Sequence, residues 1–323
     1  MLDRRNLLTL VAAGALSRLG CNRGATKKLV GVVPKGTNHI FWLTVKAGSL
    51  AAGQEYDLDI AWNAPQLEID SSRQIAIVEN LITSNADGIV LAPVDADALV
   101  GVVERAAGRG IPVSIFDSGI NTGKIVSFVA TDNYGAGAMG ARRMGEILDG
   151  KGQVGVIGFM PGSASTMERE AGFVDTIGKE FQGIEIVGVQ FAMADRAKAL
   201  AESENLMTAY PNLRGLFADN ESSTDGTVRA VAQRGASGKV KVVGFDASQE
   251  LVDQLKAGLL DSLIVQDPFK MGYESTKAIG QHLRGEEPAR KIDSGAHLIL
   301  KEDLEKPEVQ ELLFPDIARW LEG

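Results

Sequence analysis

The sequence has little with which to build a disulfide, a metal centre or a nucleic-acid surface. Its one cysteine cannot form an intrachain disulfide, and His282 and His297 have no partners at metal-ligand spacing. Basic side chains number 33 against 42 acidic ones, so the formal charge is −9 and phosphate groups would be repelled. We therefore predict no metal site and no nucleic-acid partner.

The sequence also lacks an apolar run long enough to span a bilayer. The run from Leu7 to Leu16 is too short for a membrane helix and follows Arg4 and Arg5, which is typical of an export signal. The arginine pair is compatible with twin-arginine export and equally with the general secretory route. We expect residues 1–20 to form this signal and the mature protein to work outside the cytoplasm.

Cys21 lies directly after the expected signal, behind Leu19 and Gly20. This position resembles the cleavage box of bacterial lipoproteins and predicts lipidation, although Arg18 stands where that box is normally apolar. The alternative is a plain signal followed by an unmodified cysteine. The mature protein would then be either periplasmic or a membrane-anchored lipoprotein facing outside the cytoplasm. The polar residues 21–28 are expected to form a tether before the first strand.

From Leu29 onward, short runs rich in valine and isoleucine alternate with longer amphipathic stretches. This alternation predicts an α/β fold in which crossover helices link parallel strands. The predicted strands form two series, first Leu29–Val33, Leu58–Trp62, Gly88–Ala92, Pro112–Phe116 and Val126–Ala130, then Gln153–Gly158, Ile184–Val189, Gly215–Ala218, Lys241–Phe245 and Ser262–Gln266. The series match in order, as Phe116-Asp117 matches Phe245-Asp246, so two similar doubly wound lobes are predicted.

Ligands of open parallel sheets bind beyond the carboxyl ends of the strands, so residues at those ends are the candidates for a site. His39, Phe41 and Trp42 follow the first strand. The two adjacent aromatics either pack in the core or stack on the apolar face of a sugar.

Polar side chains follow several of the other predicted strands. They are Asp117, Ser118, Arg169, Asn220 and Asp246. Carboxylate, amide and guanidinium groups suit neighbouring hydroxyls, because each hydroxyl both donates and accepts a hydrogen bond. Taken singly, an aspartate at a strand end is more typical of a helix cap, so the argument for a binding site depends on the whole set.

Signatures of enzymes on this kind of sheet are absent from the sequence. Gly31 and Gly36 have phosphate-loop spacing, but Thr37 and Asn38 replace the lysine and hydroxyl residue that grip a phosphate and magnesium. No Gly-x-Gly-x-x-Gly turn follows the first strand, and no Ser/His or Cys/His pair stands out. We therefore predict a binding protein without a cofactor, the less favoured alternative being an α/β enzyme such as a nicotinamide dehydrogenase.

From Leu29 to about Leu300 the sequence resembles the ribose-type periplasmic sugar-binding proteins. The matching segments are His39-Ile40-Phe41-Trp42, Asp87–Pro93, Ile111–Asp117, Ala130–Asn133, Arg169–Phe173, Ala218–Glu221, Gly244–Asp246 and Gln266. The resemblance implies the type I periplasmic binding protein fold, with two lobes joined by a three-strand hinge near Asp132, Gln266 and Ser294. It assigns residues 29–131 with 267–294 to the amino-terminal lobe and 132–266 with 295–323 to the carboxy-terminal lobe.

The resemblance also implies a function and a site. Phe41 and Trp42 would stack on the ligand, and hydroxyl contacts would come from His39, Asp117, Arg169, Asn220, Asp246 and Gln266. The protein would be a monomer that captures a sugar or polyol and delivers it to the permease of an ABC transporter in the inner membrane. A sensor that presents the same ligand to a receptor remains the alternative. The effector module of a repressor would need a DNA-binding headpiece in place of an export signal.

Two positions depart from the family pattern. Ser118 stands where the family often has an arginine that grips ring hydroxyls, and Ala194 stands where the second lobe often has an aromatic. The site would then lack a charge fork and a stacking wall. A linear polyol or a differently oriented sugar is therefore favoured over a pentose in its usual pose.

Overall fold

The computed structural model describes residues 27–37 and 39–322, so the predicted signal, Cys21 and most of the tether lie outside the described residues. In chain order the strands are β1 (Lys28–Val33), β2 (Leu58–Trp62), β3 (Gly88–Leu91), β4 (Val113–Phe116), β5 (Ser127–Ala130), β6 (Lys151–Gly158), β7 (Gly183–Phe191), β8 (Leu213–Ala218), β9 (Lys241–Phe245), β10 (Ser262–Gln266), β11 (Lys291–Asp293) and β12 (Ala296–Leu300). The helices are α1 (Ile40–Tyr56), α2 (Ser71–Thr83), α3 (Val100–Gly108), α4 (Asn133–Ile147), α5 (Ala164–Glu180), α6 (Arg196–Ala209), α7 (Glu221–Gln233), α8 (Gln249–Lys256), α9 (Pro268–Leu283), α10 (Pro307–Leu313) and α11 (Ala318–Leu321).

The strands form two six-stranded sheets that repeat one strand order. The first sheet runs β11-β5-β4-β3-β1-β2 and the second runs β12-β10-β9-β8-β6-β7. All pairings are parallel except that between β10 and β12. We call each sheet with its helices a lobe. The predicted α/β class with two doubly wound lobes is thereby confirmed.

Both faces of each sheet are covered, which explains the continuous apolar runs of the strands. In the second lobe, Val154 and Val156 of β6 pack in one buried cluster while Ile157 packs in another. In the first lobe, Val32 and Val33 of β1 likewise pack in two different buried clusters. Burying each such side chain contributes about 1.5–3 kcal/mol, so each strand is stabilised from both sides.

In each lobe, two helices approach so closely that only glycine fits between them. A Cβ at Gly48 of α1 would overlap the Phe269 carbonyl of α9, and Gly272 of α9 faces α1 in the same way. In the second lobe, Gly137 of α4 and Gly172 of α5 form the equivalent reciprocal pair. Backbone contact at these points fixes where α1 and α5 begin, and both helices begin at the edge of the sheet where a ligand would bind.

The chain passes between the lobes at three neighbouring points. These points lie between β5 and α4, between β10 and α9, and between β11 and β12. Thr131 Oγ1 contacts all three crossings, at 2.9 Å from Gln266 Oε1, 3.3 Å from Ser294 Oγ and 3.0 Å from the Gly295 carbonyl. Asp132 caps α4 by accepting a hydrogen bond from the Gly135 amide at 3.0 Å. The predicted hinge residues therefore lie side by side.

The carboxy-terminal segment adds a contact between the lobes away from these crossings. Helix α10 packs through Val309 into the core of the second lobe, and α11 contacts α1 of the first lobe. Residues 314–317, which join the two helices, form what we call the bridge. Among the described residues, no helix has the length and apolar character needed to cross a bilayer.

Candidate ligand-binding site

A cleft lies between the lobes at the carboxyl ends of the strands. It is lined by eight residues that the sequence predicts: His39, Phe41, Trp42, Asp117, Arg169, Asn220, Asp246 and Gln266. It is also lined by six that were not predicted: Lys35, Glu68, Phe159, Ser165, Thr166 and Glu221. The fold therefore gathers segments that are far apart in sequence into one polar cleft, and the whole list except Ser118 lies in its wall.

Asp117 and Asp246 hold equivalent positions in the two lobes, directly after β4 and β9. Both have left-handed backbone conformations, with φ of 61° and 67°, which are costly for most residues and better tolerated by aspartate. Their amides donate to the Val129 and Ile264 carbonyls of the next strand, at 3.0 Å and 2.8 Å. Helix α8 is capped by Ser248 instead. Asp246 therefore does not cap the helix that follows it.

The carboxylate of Asp246 is buried and held by two protein donors. Its Oδ1 accepts a hydrogen bond from Gln266 Nε2 at 2.6 Å, and its Oδ2 accepts one from the Glu221 amide at 3.1 Å. Burial raises the pKa of the Asp246 carboxyl, while the nearby charge of Arg169 acts in the opposite direction. A ligand hydroxyl that donates to this carboxylate would offset part of its lost hydration.

Asp117 is paired with a buried lysine that the sequence reasoning missed. Lys35 Nζ lies 2.9 Å from Asp117 Oδ2, and both side chains are about 95% buried. The same ammonium group reaches across the cleft to the hydroxyls of Ser163 and Ser165, at 3.3 Å and 3.2 Å. Ser118 also crosses the cleft, since its Oγ accepts a hydrogen bond from the Ser165 amide at 3.1 Å. The residues that follow β1 and β4 in the first lobe thus contact the start of α5 in the second lobe.

Arg169 is fixed by protein groups and still has donors to spare. Its Nε, Nη1 and Nη2 donate to Asn133 Oδ1, the Asp219 carbonyl and Gln266 Oε1, at 2.8, 2.9 and 2.8 Å. The guanidinium lies 3.9 Å from the centre of the Phe245 ring. Since a guanidinium has five N–H groups in a rigid plane, those left over can point at a ligand in a fixed direction.

Asn220 combines two tasks. Its Oδ1 caps α7 by accepting from the Ser223 amide at 3.0 Å, and its Nδ2 donates to Ser222 Oγ at 3.2 Å. The second N–H of its amide group is left for a ligand. Capping and lining of the cleft are therefore compatible at this residue.

Aromatic side chains line both sides of the cleft. The rings of Phe41 and Trp42 meet edge to face at 4.8 Å, and Trp42 packs in the same way on Phe116 at 6.3 Å. Trp42 is only 4% exposed, so it belongs to the core and to the wall of the cleft at once. Phe159, at the end of β6, supplies an aromatic from the second lobe, whereas Ala194 does not line the cleft.

His39 joins the two lobes at the side of the cleft. Its Nδ1 lies 3.1 Å from Glu221 Oε2 of the second lobe, and its Nε2 lies 3.5 Å from Glu68 Oε1 of the first. Arg196 holds Glu221 in place at 2.7 Å, and Trp42 Nε1 donates to Glu68 at 2.8 Å. The imidazole is thus placed between carboxylates from opposite lobes.

Some of the residues that were not predicted could have been found from the sequence, and others could not. Lys35 and Phe159 follow β1 and β6, which are equivalent strands, so their positions could have been found by asking what comes after each strand. Ser165 lies in the first turn of α5 as Phe41 lies in that of α1. Glu68 comes from the long loop between β2 and α2, where no periodic pattern marks it.

A polar cleft between two similar α/β lobes, with the chain crossings clustered beneath it, defines a two-lobe solute-binding protein. The chain belongs to the periplasmic binding protein family, since the family model described as a periplasmic binding protein domain matches residues 30–287.

Several known proteins are similar to this chain over most of its length. The D-ribose/D-allose-binding protein of Pseudomonas aeruginosa is 33% identical over 279 residues, 83% of this chain and 86% of that protein. A carbohydrate transporter solute binding protein from Agrobacterium radiobacter, in complex with D-arabinose, gives a TM-score of 0.86 at 30% identity, covering 90% of this chain and 99% of that chain. An ABC transporter solute binding protein from Agrobacterium vitis, bound with α-D-tagatopyranose, gives 0.85 at 31% identity, covering 89% and 99%.

Proposed function

We propose that this protein is the solute-binding component of an ABC-type importer and holds one sugar or polyol between its lobes. The observation that carries the proposal is the set of buried charged and amide groups from both lobes, with Lys35 and Asp117 on one side and Arg169, Asn220 and Asp246 on the other. Such groups can both donate to and accept from adjacent hydroxyls. Relatives that bind ribose, allose, arabinose and tagatose support a ligand of this class.

Capture would work by shifting a population of conformations. Ser165 contacts Ser118 and Lys35 across the cleft, and His39 contacts Glu221, so the structure has the lobes closed. A ligand can touch both lobes only in this closed form, and its binding therefore favours closure. We propose that the permease recognises the closed monomer and that no bond of the ligand is broken.

The aromatic and polar groups have separate tasks in this proposal. Phe41 and Phe159 present apolar surface to the C–H groups of the ligand, while Trp42 supports Phe41 from the core. Asp117, Asp246 and the polar groups beside them take the hydroxyls. Ser118 acts between the lobes and not on the ligand, since its hydroxyl is fully buried against the start of α5.

The ligand is expected to raise the thermal stability of the protein. At about 100 times its Kd it stabilises the folded state by about 2.7 kcal/mol, because it binds the folded chain and not the unfolded one. Thermal melts with D-ribose, D-allose, D-arabinose, D-tagatose, xylitol and ribitol measure this, with NAD and ATP as controls. A shift with NAD or ATP and none with any sugar or polyol contradicts the proposal.

The mature protein is expected to be found outside the cytoplasm without residues 1–20. Cell fractionation and the mass of the purified protein test this, with Cys21→Ser as the matched variant. If Cys21 carries lipid, the wild type stays with the membrane fraction and shows an added lipid mass that Cys21→Ser lacks. Unprocessed protein in the cytosol contradicts export, and identical periplasmic behaviour of both proteins contradicts lipidation.

A further inference from the structure

Two acidic side chains meet behind the wall of the cleft in the second lobe. Asp219 follows β8 and is fully buried, and Glu170 of α5 is partly buried beside it, within hydrogen-bonding range. Asp219 Oδ1 and Glu170 Oε1 have no hydrogen-bond partner among the described residues. Both groups lie at the end of β6, since Glu170 Oε1 borders Gly158 and Asp219 accepts from the Phe159 amide. Two neighbouring buried carboxyl groups that each have an unpartnered oxygen point to a hydrogen between them, because an ionised carboxylate can only accept.

Among the described residues, no other side chain donates a hydrogen bond to this pair. Arg169 is the positive charge that acts on Asp219, and its three bonded nitrogens donate to Asn133 of α4, to Gln266 of β10 and to the backbone carbonyl of Asp219. Directly after β6, the Phe159 amide donates to the other oxygen of Asp219 at 3.1 Å. Two adjacent carboxylates with this burial cannot both be ionised at low cost.

Burial raises the pKa of both carboxyl groups. Burial raises the pKa of Asp219 well above its usual range, the neighbouring Glu170 raises it further, and the charge of Arg169 lowers it. Burial likewise raises the pKa of Glu170, and the hydrogen bond with Asp219 opposes that shift. Such a pair releases its two protons in separate steps that belong to the pair as a whole.

We propose that Glu170 and Asp219 hold one proton between them at neutral pH, and that this proton keeps Phe159 and Arg169 in their places in the cleft. The proton bridges α5 to the end of β8, while Asp219 holds the Phe159 amide through its side chain and Arg169 through its carbonyl. If both carboxylates were ionised, they would repel each other, and their added negative charge would draw the Arg169 guanidinium away from Gln266. Ligand binding should therefore weaken at alkaline pH.

The sign of the effect on stability follows from proton counting. In the unfolded chain both carboxyls are ionised above about pH 5. The folded chain keeps one proton until the pH passes the raised pKa of the pair, so folding takes up a proton in this range. The unfolding equilibrium constant then rises by about tenfold per pH unit from this pair alone, and the rise ends above that pKa.

Urea unfolding of the ligand-free mature protein from pH 5 to pH 9 tests this, with Glu170→Gln as the variant. A glutamine amide donates to Asp219 permanently, so the variant should lose the tenfold rise per pH unit, which then remains as the difference between wild type and variant. Glu180→Gln is the matched control, since Glu180 lies on the same helix in an exposed ion pair with Arg142 and its loss should leave the slope unchanged. Asp219→Asn serves in the same way if Glu170→Gln fails to fold.

Infrared difference spectra of wild type and Glu170→Gln at pH 7 give a direct reading. The wild type should show the absorption of one protonated carboxyl that the variant lacks. An equal slope in wild type and variant, or no protonated carboxyl at pH 7, overturns the proposal, as does stabilisation by added calcium or sodium that shows a bound cation instead. These measurements use no ligand, so a failure of the sugar proposal leaves them unaffected.

Discussion

Replacing Gly172 by alanine is expected to lower the free energy of unfolding by about 3 kcal/mol, even though alanine is normally the better helix former. The added Cβ would overlap the Tyr134 carbonyl of α4. A backbone atom cannot turn aside as a side chain can, so α4 and α5 must separate. Because Arg169 lies on α5 one turn earlier, its position in the cleft would move as well.

Gly178→Ala is the matched control for this substitution. It lies on the same helix, and a Cβ there meets no atom within 4 Å. Its expected effect is a gain of about 0.5–1 kcal/mol, because only the conformational freedom of glycine is removed. Urea unfolding of both variants gives the two free energies. Stabilisation of the protein by both substitutions would contradict the close backbone contact between α4 and α5.

Asp246→Ala is expected to weaken sugar or polyol binding by about 1.5–3 kcal/mol, or roughly 10- to 150-fold in Kd. The carboxylate can accept from two neighbouring hydroxyls, and charge-assisted hydrogen bonds are about twice as strong as neutral ones. Its removal also leaves the Gln266 amide and the Glu221 N–H without their acceptor. Calorimetric titration with the ligand found in the thermal screen measures the loss.

Two further variants separate binding from the backbone effect of this change. Asp246 has a φ of 67°, a conformation that asparagine tolerates well, so Asp246→Asn keeps the backbone while it removes the charge and replaces one of the two acceptor oxygens by a donor. Asp149 also has positive φ, 52°, but lies exposed and outside the cleft, so Asp149→Ala shows the backbone cost alone. Asp149→Ala should lower stability and leave Kd unchanged. Unchanged affinity in Asp246→Ala contradicts the role of this residue in binding.

The fold was largely predictable because buried parallel strands leave a strong local pattern. The strands at Lys241–Phe245 and Ser262–Gln266 begin and end where the apolar runs predict. In contrast, β11 and β12 were not predicted, since β11 has no buried residue and β12 has one. β11 pairs with β5 and β12 pairs with β10 because the chain crosses between the lobes at this point. A local sequence pattern gives no information on such a crossing.

The candidate site was predictable where it follows strand ends and not where it depends on partners. Asp117 and Asp246 could be placed in advance, because the duplicated strands mark their positions. Lys35 could be placed after β1 in the same way, but its ion pair with Asp117 could not, since nothing in the sequence pairs Lys35 with a residue some eighty positions away. For the same reason the contact between Glu170 and Asp219 only becomes visible when α5 is packed on the sheet, beside the residue that follows β8.

The bridge of residues 314–317 is a position from which a probe could report the separation of the two lobes. It is held in the second lobe through α10 and rests on the first through α11, so a probe attached there has one lobe on either side. When the lobes separate, either α11 leaves α1 or the bridge is stretched. Phe314 is 40% exposed and can be replaced by a cysteine for labelling. A fluorophore at this position would convert closure around a solute into an optical signal.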